Sequence, residues 1–265
     1  MIRDLLFLLS ICLGMASTAA PCFAQAKPDA KPAEKLPAKE PIRILFVGNS
    51  YTSVNNLPAM VRELAAAGKG LRSITVEAVT PGGCSFQRHI DDEKFGTKKA
   101  IAEGKWDYVV LQEQSQMPFS FPDATLDYGK RLGALIKEKN ARPLLYLTWA
   151  REHQQENQKK LNDTYVKLGQ ALDAAVVPVG PAWEKARAQR SDLPLYLKDQ
   201  SHPSPAGTYL AACVFHGAIH EQSPVGLPRK IAGAGNRPLA DLPEKDAAFL
   251  QAVAWETVQV WKKKP

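Results

Sequence analysis

Ile42-Arg43-Ile44-Leu45-Phe46-Val47-Gly48-Asn49-Ser50-Tyr51-Thr52 is the stretch whose reading decides the fold. The apolar run Ile44 to Val47 predicts a buried strand. The strand stops at Gly48, and a serine follows two residues later. A helix signal comes after a short loop: Asn56 can cap it and Pro58 sits early in it. Strand, tight turn, serine and helix place a hydroxyl at the carboxyl edge of a sheet, where open α/β sheets bind their ligands. Ser50 is therefore the candidate nucleophile.

The rest of the chain supports such a sheet. Ser73–Val79 alternates and is rich in β-branched residues, which reads as strand two. Trp106–Leu111 is continuous and apolar, as a central parallel strand should be. Pro143–Trp149 and Ala175–Val179 supply strands four and five. Helices are expected at about 57–67, 87–103, 123–139, 159–174, 205–220 and 244–262, another opens at Pro181, and residues 221–242 read as irregular. Alternating strands and helices imply a three-layer α/β/α sandwich around a parallel sheet of about five strands.

Composition bounds the class. At 265 residues and 45% hydrophobic, the chain can bury one sizeable core. The net charge of +7 is modest, and no basic stripe interleaved with aromatics appears, so nucleic acid is not expected as a partner. No G-x-G-x-x-G or Walker A pattern occurs, which argues against the usual nucleotide sites. Residues 1–24 read as a secretory signal peptide, with an apolar core from Leu5 to Gly14 and a cleavage site after Ala24. That core is too short for an ordinary spanning helix, so no stable membrane insertion is expected after cleavage. Residues 25–40 are Ala/Lys/Pro-rich and read as a flexible linker, with the domain covering 41–265. Export would place the protein in the periplasm or outside the cell. Cleavage leaves Cys84 and Cys213, which could pair or stay as buried thiols.

A serine needs a base to take its proton, and the base needs a carboxylate to orient it. His202 stands three residues after Asp199, just before a helix, so one turn can join the carboxylate to Nδ1. Gly48-Asn49-Ser50, Gly82-Gly83, Gln112-Glu113-Gln114-Ser115 and Asp199-x-x-His202-Pro203 follow strand one, strand two, strand three and precede a late helix, in that order. This series resembles the four blocks of the SGNH (GDSL-like) hydrolases, over residues 42–220. Gly-Asn-Ser stands where that family usually has Gly-Asp-Ser, as in a bacterial subset of largely unknown function.

The resemblance implies a role for each residue. Ser50 would be the nucleophile, His202 the general base and then acid, and Asp199 its orienting group. The backbone N–H groups of Ser50 and Gly83 (or its neighbour Gly82) would form part of an oxyanion hole. The family's third donor, an Asn, is absent, and a glutamine amide can replace it. Gln114 matches its position, while Gln112 is nearer the strand end and is slightly favoured. Thr52 replaces the second glycine of a Gly-x-Ser-x-Gly elbow, which excludes that motif of the α/β-hydrolase fold. The resemblance needs no cofactor or metal and implies an ester substrate, a small molecule or a carbohydrate. Acetyl is the expected acyl group; a lipase or thioesterase role and a non-catalytic carbohydrate-binding role are the alternatives.

Secondary candidates complete the reading. His89 could line the pocket, and Trp149, at the end of strand four, could stack on a sugar. His216 and His220 stand one helical turn apart beside Glu221, without a zinc motif. Cys84 has no histidine partner by motif.

Overall fold

The computed structural model describes residues 40–233, 235 and 237–263. The readings of a signal peptide at 1–24 and of a linker through residue 39 lie outside these. The strands are β1 (Ile42–Val47), β2 (Ile74–Val79), β3 (Tyr108–Leu111), β4 (Arg142–Leu147), β5 (Ala175–Pro178), β6 (Lys230–Ile231) and β7 (Ala240–Asp241). The helices are α1 (Ser50–Ser53), α2 (Leu57–Ala67), α3 (Phe86–Asp91), α4 (Thr97–Glu103), α5 (Met117–Ser120), α6 (Pro122–Lys137), α7 (Gln158–Leu172), α8 (Val179–Gln189), α9 (Pro205–His220) and α10 (Glu244–Lys262).

Five parallel strands run in the order β2-β1-β3-β4-β5. The chain starts inside the sheet, winds out to β2, then returns past β1 to β3. That reversal opens a crevice at the carboxyl ends of β1 and β3. Register brings Val47 level with both Val79 and Leu111, so three strand ends finish together.

Strand alternation divides the core. Ile44 and Phe46 point into the face covered by α2, α8, α9 and α10, while Leu45 and Val47 point into the face covered by α3, α4, α6 and α7. All four are buried, which is why β1 reads as a continuous apolar run. β2 is a sheet edge and keeps Thr75 and Ala78 exposed.

Two expectations change. The helix expected over 87–103 is broken, because Gly96 takes φ +69° between a 3-10 turn (Glu93–Phe95) and α4. The stretch 221–242 holds a two-residue antiparallel pair, β6 with β7, whose strands are too short for an alternating pattern to register. No helix among the described residues is long and apolar enough to cross a membrane.

Candidate active site

Ser50 opens α1 directly after the β1 turn. The turn is tight because Gly48 lies against the Gln112 side chain: a Cβ there would come within 2.6 Å of Gln112 Oε1 and 2.8 Å of Thr52 Oγ1. Asn49 is buried and extended and caps the helix, its Oδ1 accepting from the Tyr51 amide at 3.0 Å. Its Nδ2 donates to the Cys84 carbonyl at 2.9 Å. An aspartate could accept the first bond but could not donate the second. Asn49 therefore ties the nucleophile turn to the loop after β2.

That loop carries Gly83, exposed, with φ +61°. This left-handed conformation favours glycine. Neither the Ser50 nor the Gly83 amide donates to any described residue. Behind the loop, Glu113 Oε1 accepts from the Phe86 amide at 2.9 Å and the Gln114 amide at 2.6 Å. Burial raises the Glu113 carboxyl to about 7, against the opposing pull of these two bonds.

The base arrives from the other side. His202 Nε2 lies 2.8 Å from Ser50 Oγ, and Nδ1 lies 2.5 Å from Asp199 Oδ2. The other oxygen, Asp199 Oδ1, accepts from the amides of Ser201 (3.0 Å) and His202 (2.9 Å). Partial burial pushes the Asp199 carboxyl up, but the hydrogen bonds from His202 and the two amides outweigh it and hold it below its usual range. Asp199 thus stays ionised and selects the tautomer with hydrogen on Nδ1, leaving Nε2 free to take the serine proton. Sequence placed Ser50 in one block and the Asp199/His202 pair in another, and the fold brings them into one chain of hydrogen bonds.

Other expectations are corrected. Gln112 was favoured as the third donor, yet it is fully buried and does not reach the cavity beside Ser50. Its Oε1 accepts from the Asn49 amide and the Thr52 hydroxyl, both at 2.9 Å, and its Nε2 donates to the Glu113 carbonyl. Gln114 lines the cavity instead. Its Oε1 is held by the amides of Gln116 (2.8 Å) and Met117 (3.3 Å), and its Nε2 donates to no described residue.

His89 is buried and makes no part of the cavity. Its Nε2 donates to the Gly48 carbonyl at 2.8 Å, and its Nδ1 lies 2.7 Å from Thr97 Oγ1. Burial lowers its pKa, against the pull of the Gly48 bond, which suits a neutral strut under the turn.

Trp149 cannot stack on a sugar, because both its faces are occupied. Tyr51 covers one at 4.8 Å and Trp183 the other at 3.8 Å. Its Nε1 donates to the Ser201 carbonyl at 3.0 Å, and Tyr51 meets His202 edge-on at 5.5 Å. The ring is a support for the histidine loop.

Cys84 and Cys213 are buried free thiols. Burial pushes Cys84 up to about 11, so no thiolate nucleophile competes with Ser50. His216 and His220 pack at 5.1 Å, and burial lowers both, His216 to about 4. No group of three or more His, Cys, Asp or Glu among the described residues is arranged to hold a metal ion.

The cavity between these elements measures about 190 Å³. A larger one, about 720 Å³, opens at the amino edge of the sheet near Tyr108, Arg142 and Asp173, where no nucleophile–base pair stands. The smaller one holds the Ser50–His202 pair. Sequence reasoning gave no role to five residues that line it, Asn49, Tyr51, Ser115, Arg151 and Ser201; Arg151 is the one far from every block, signalled only by its place after β4.

No protein-family model matches the chain, and no curated protein matches it. Solved structures do. One from Slackia heliotrinireducens, assigned to the SGNH hydrolases, shares 27% identity at a TM-score of 0.60, covering 68% of this chain and all of its own. The chain is a member of the SGNH hydrolase superfamily. A DUF4886 family protein from Bacteroides uniformis shares the SGNH fold at 22% identity and a TM-score of 0.66, over 85% of this chain and 98% of its own. The acetyl xylan esterase AlAXEase does so at 16% and 0.54, over 67% and 100%. The four SGNH blocks thus lie together at the carboxyl edge of the sheet, and the chain is an SGNH-type hydrolase.

Proposed function

We propose that this chain is an exported serine esterase that removes short acyl groups, acetyl foremost, from small or carbohydrate esters. The Ser50–His202–Asp199 chain of hydrogen bonds carries the reading, at 2.8 and 2.5 Å. Ser50 Oγ bonds the ester carbonyl carbon while its proton passes to His202 Nε2. The amides of Ser50 and Gly83 and the Gln114 Nε2 donate to the oxyanion. The bond to the alcohol oxygen breaks, and His202 returns its proton to that oxygen. Water then attacks the acyl-enzyme, giving a proton to His202, and Ser50 leaves with that proton restored.

The short acyl group is supported by the cavity, since about 190 Å³ suits an acetyl and not a long chain. Carbohydrate as the carrier rests on analogy with the acetyl xylan esterase of the same fold. Export rests on the composition of residues 1–24 alone, with the catalytic domain taken as 41–265.

A fluorophosphonate probe tests the reading. Mass spectrometry should find the adduct on Ser50, and Ser50→Ala and His202→Ala should each abolish it. A folded protein that takes no label would sink the esterase and leave a non-catalytic binding role.

A further inference from the structure

Arg151 reaches the cavity from the loop after β4 and shares its lining with Ser50, Gln114 and His202. Its guanidinium is under-used. Nη2 donates to Ser115 Oγ at 3.2 Å, and the Tyr51 hydroxyl is its other side-chain partner; both are uncharged. Its Nε is shielded from solvent and donates to nothing. No carboxylate among the described residues lies within ion-pair distance of it. The neighbouring Glu152 is turned away and pairs with Arg187 at 3.0 Å.

The surroundings are hydroxyls. Tyr51 Oη and Ser201 Oγ are 2.7 Å apart. Tyr51, Ser115, Ser201 and Arg151 line the same cavity; burial raises the Tyr51 hydroxyl, while Ser201, Ser115 and the Arg151 cation pull it back. Hydroxyls satisfy N–H donors but do not neutralise charge. Arg151 is part-buried, with its Nε shielded and without a partner, so the cation has a donor that an anion entering the cavity could use. Its planar fork matches a carboxylate in a bidentate pair. A purely structural role, bracing Ser115, would need one donor and would not require the cation to face the cavity.

We propose that the substrate carries a carboxylate beside its scissile ester and that Arg151 receives it. This rests on Ser50 being an esterase nucleophile. The carboxylate can belong to the acyl part, as in a dicarboxylic acid monoester, or to the alcohol part, as in an acylated uronic acid. In either case Arg151 binds substrate and sets specificity, and Ser50 still performs the attack.

Two matched pairs of esters test this and separate the sources. p-Nitrophenyl hemisuccinate against p-nitrophenyl acetate places the carboxylate on the acyl side. Acetylated methyl galactosiduronic acid, its carboxylate free, against acetylated methyl galactoside places it on the alcohol side. The parent should favour the charged member of one pair in kcat/KM. Arg151→Gln should cut that preference on the order of 10- to 100-fold, the effect of losing hydrogen bonds to a charged group. Arg151→Lys, which keeps the charge but not the fork, should retain part of it. Equal rates within both pairs, or a proportional fall on all four esters, would overturn the proposal. If nothing is turned over, the esterase reading fails on its own, and succinate binding to Ser50→Ala by calorimetry decides. Binding abolished by Arg151→Gln supports the carboxylate site, and absence of binding ends it.

Discussion

The nucleophile side of the cavity is anchored by buried polar atoms, whereas the base side is anchored by aromatic rings and stands partly in water. Asn49, Gln112 and Glu113 are each under 3% exposed and join three loops through amide and carboxylate bonds. His202 and Asp199 have side chains 32% and 48% exposed. The Tyr51–Trp149–Trp183 stack and the Ser201 carbonyl hold their loop. The division fits the chemistry. Donors aimed at a developing oxyanion gain from being carried on loops that are fixed in place. A base that must take and return protons gains from contact with solvent.

The largest effects should fall on the exposed side and leave folding intact. His202→Ala should lower kcat about 10⁶-fold and Asp199→Ala about 10⁴-fold, as in a serine–histidine–aspartate triad. Melting temperatures should barely move, because neither side chain is core. An equal collapse of stability would erase the contrast between the two sides.

The two glutamines sharpen the comparison. Gln114→Leu removes a donor facing the cavity and should lower kcat by about 10² to 10³; the Gln116 and Met117 amides it frees are only part-buried, so it should cost less stability than the Gln112 change. Gln112→Leu orphans the Asn49 amide and the Thr52 hydroxyl. It should cost about 2–4 kcal/mol of stability, read by denaturant titration. If both variants behaved alike, the distinct roles would fail.

These two residues also mark where the sequence stopped being readable. The layers and the five parallel strands were legible, and so were the residues that meet in the Ser50–His202–Asp199 hydrogen-bond chain, since they depend on apolar runs, turn residues and a block order that survive as patterns. Which glutamine faces outward depends on the last residues of a strand end, where alternation gives way to loop geometry. Trp149 misled for a related reason: a strand-end tryptophan looks like a binding surface until Tyr51 and Trp183 cover it. Arg151 left no pattern, because one charged residue in a polar loop resembles any solvated one.

Glu113 gives the buried side a pH signature. Its carboxyl lies near 7 in the fold against an ordinary 4.5, so the folded state holds the proton more tightly. The stabilisation from that proton is complete below pH 4.5 and is lost as pH rises through 7. At about 1.4 kcal/mol per unit over roughly 2.5 units, the loss is on the order of 3–4 kcal/mol. Both bonds to Glu113 arrive on one oxygen, which an amide carbonyl can replace. Glu113→Gln should flatten the stability profile between pH 5 and 8, and a profile unchanged from the parent would assign the dependence elsewhere.

The smallest expected effect is at Asn49. Asn49→Asp keeps the helix cap but loses the donor to Cys84, costing about 1–3 kcal/mol. Hydrogen exchange in the Gly82–Ser85 loop should rise ahead of any global unfolding.

The acid–base pair lies three residues apart in the chain, while Ser50 and His202 are separated by 152. By loop-closure entropy, the second contact costs about 3.5 kcal/mol more to bring together than the first. During refolding the carboxylate–imidazole pair can therefore assemble within its own turn, long before it meets the hydroxyl. Reactivity at Ser50 appears only when the two ends of the domain have docked. Covalent labelling of that serine is thus a clock for the last long-range step of folding, independent of what the enzyme hydrolyses.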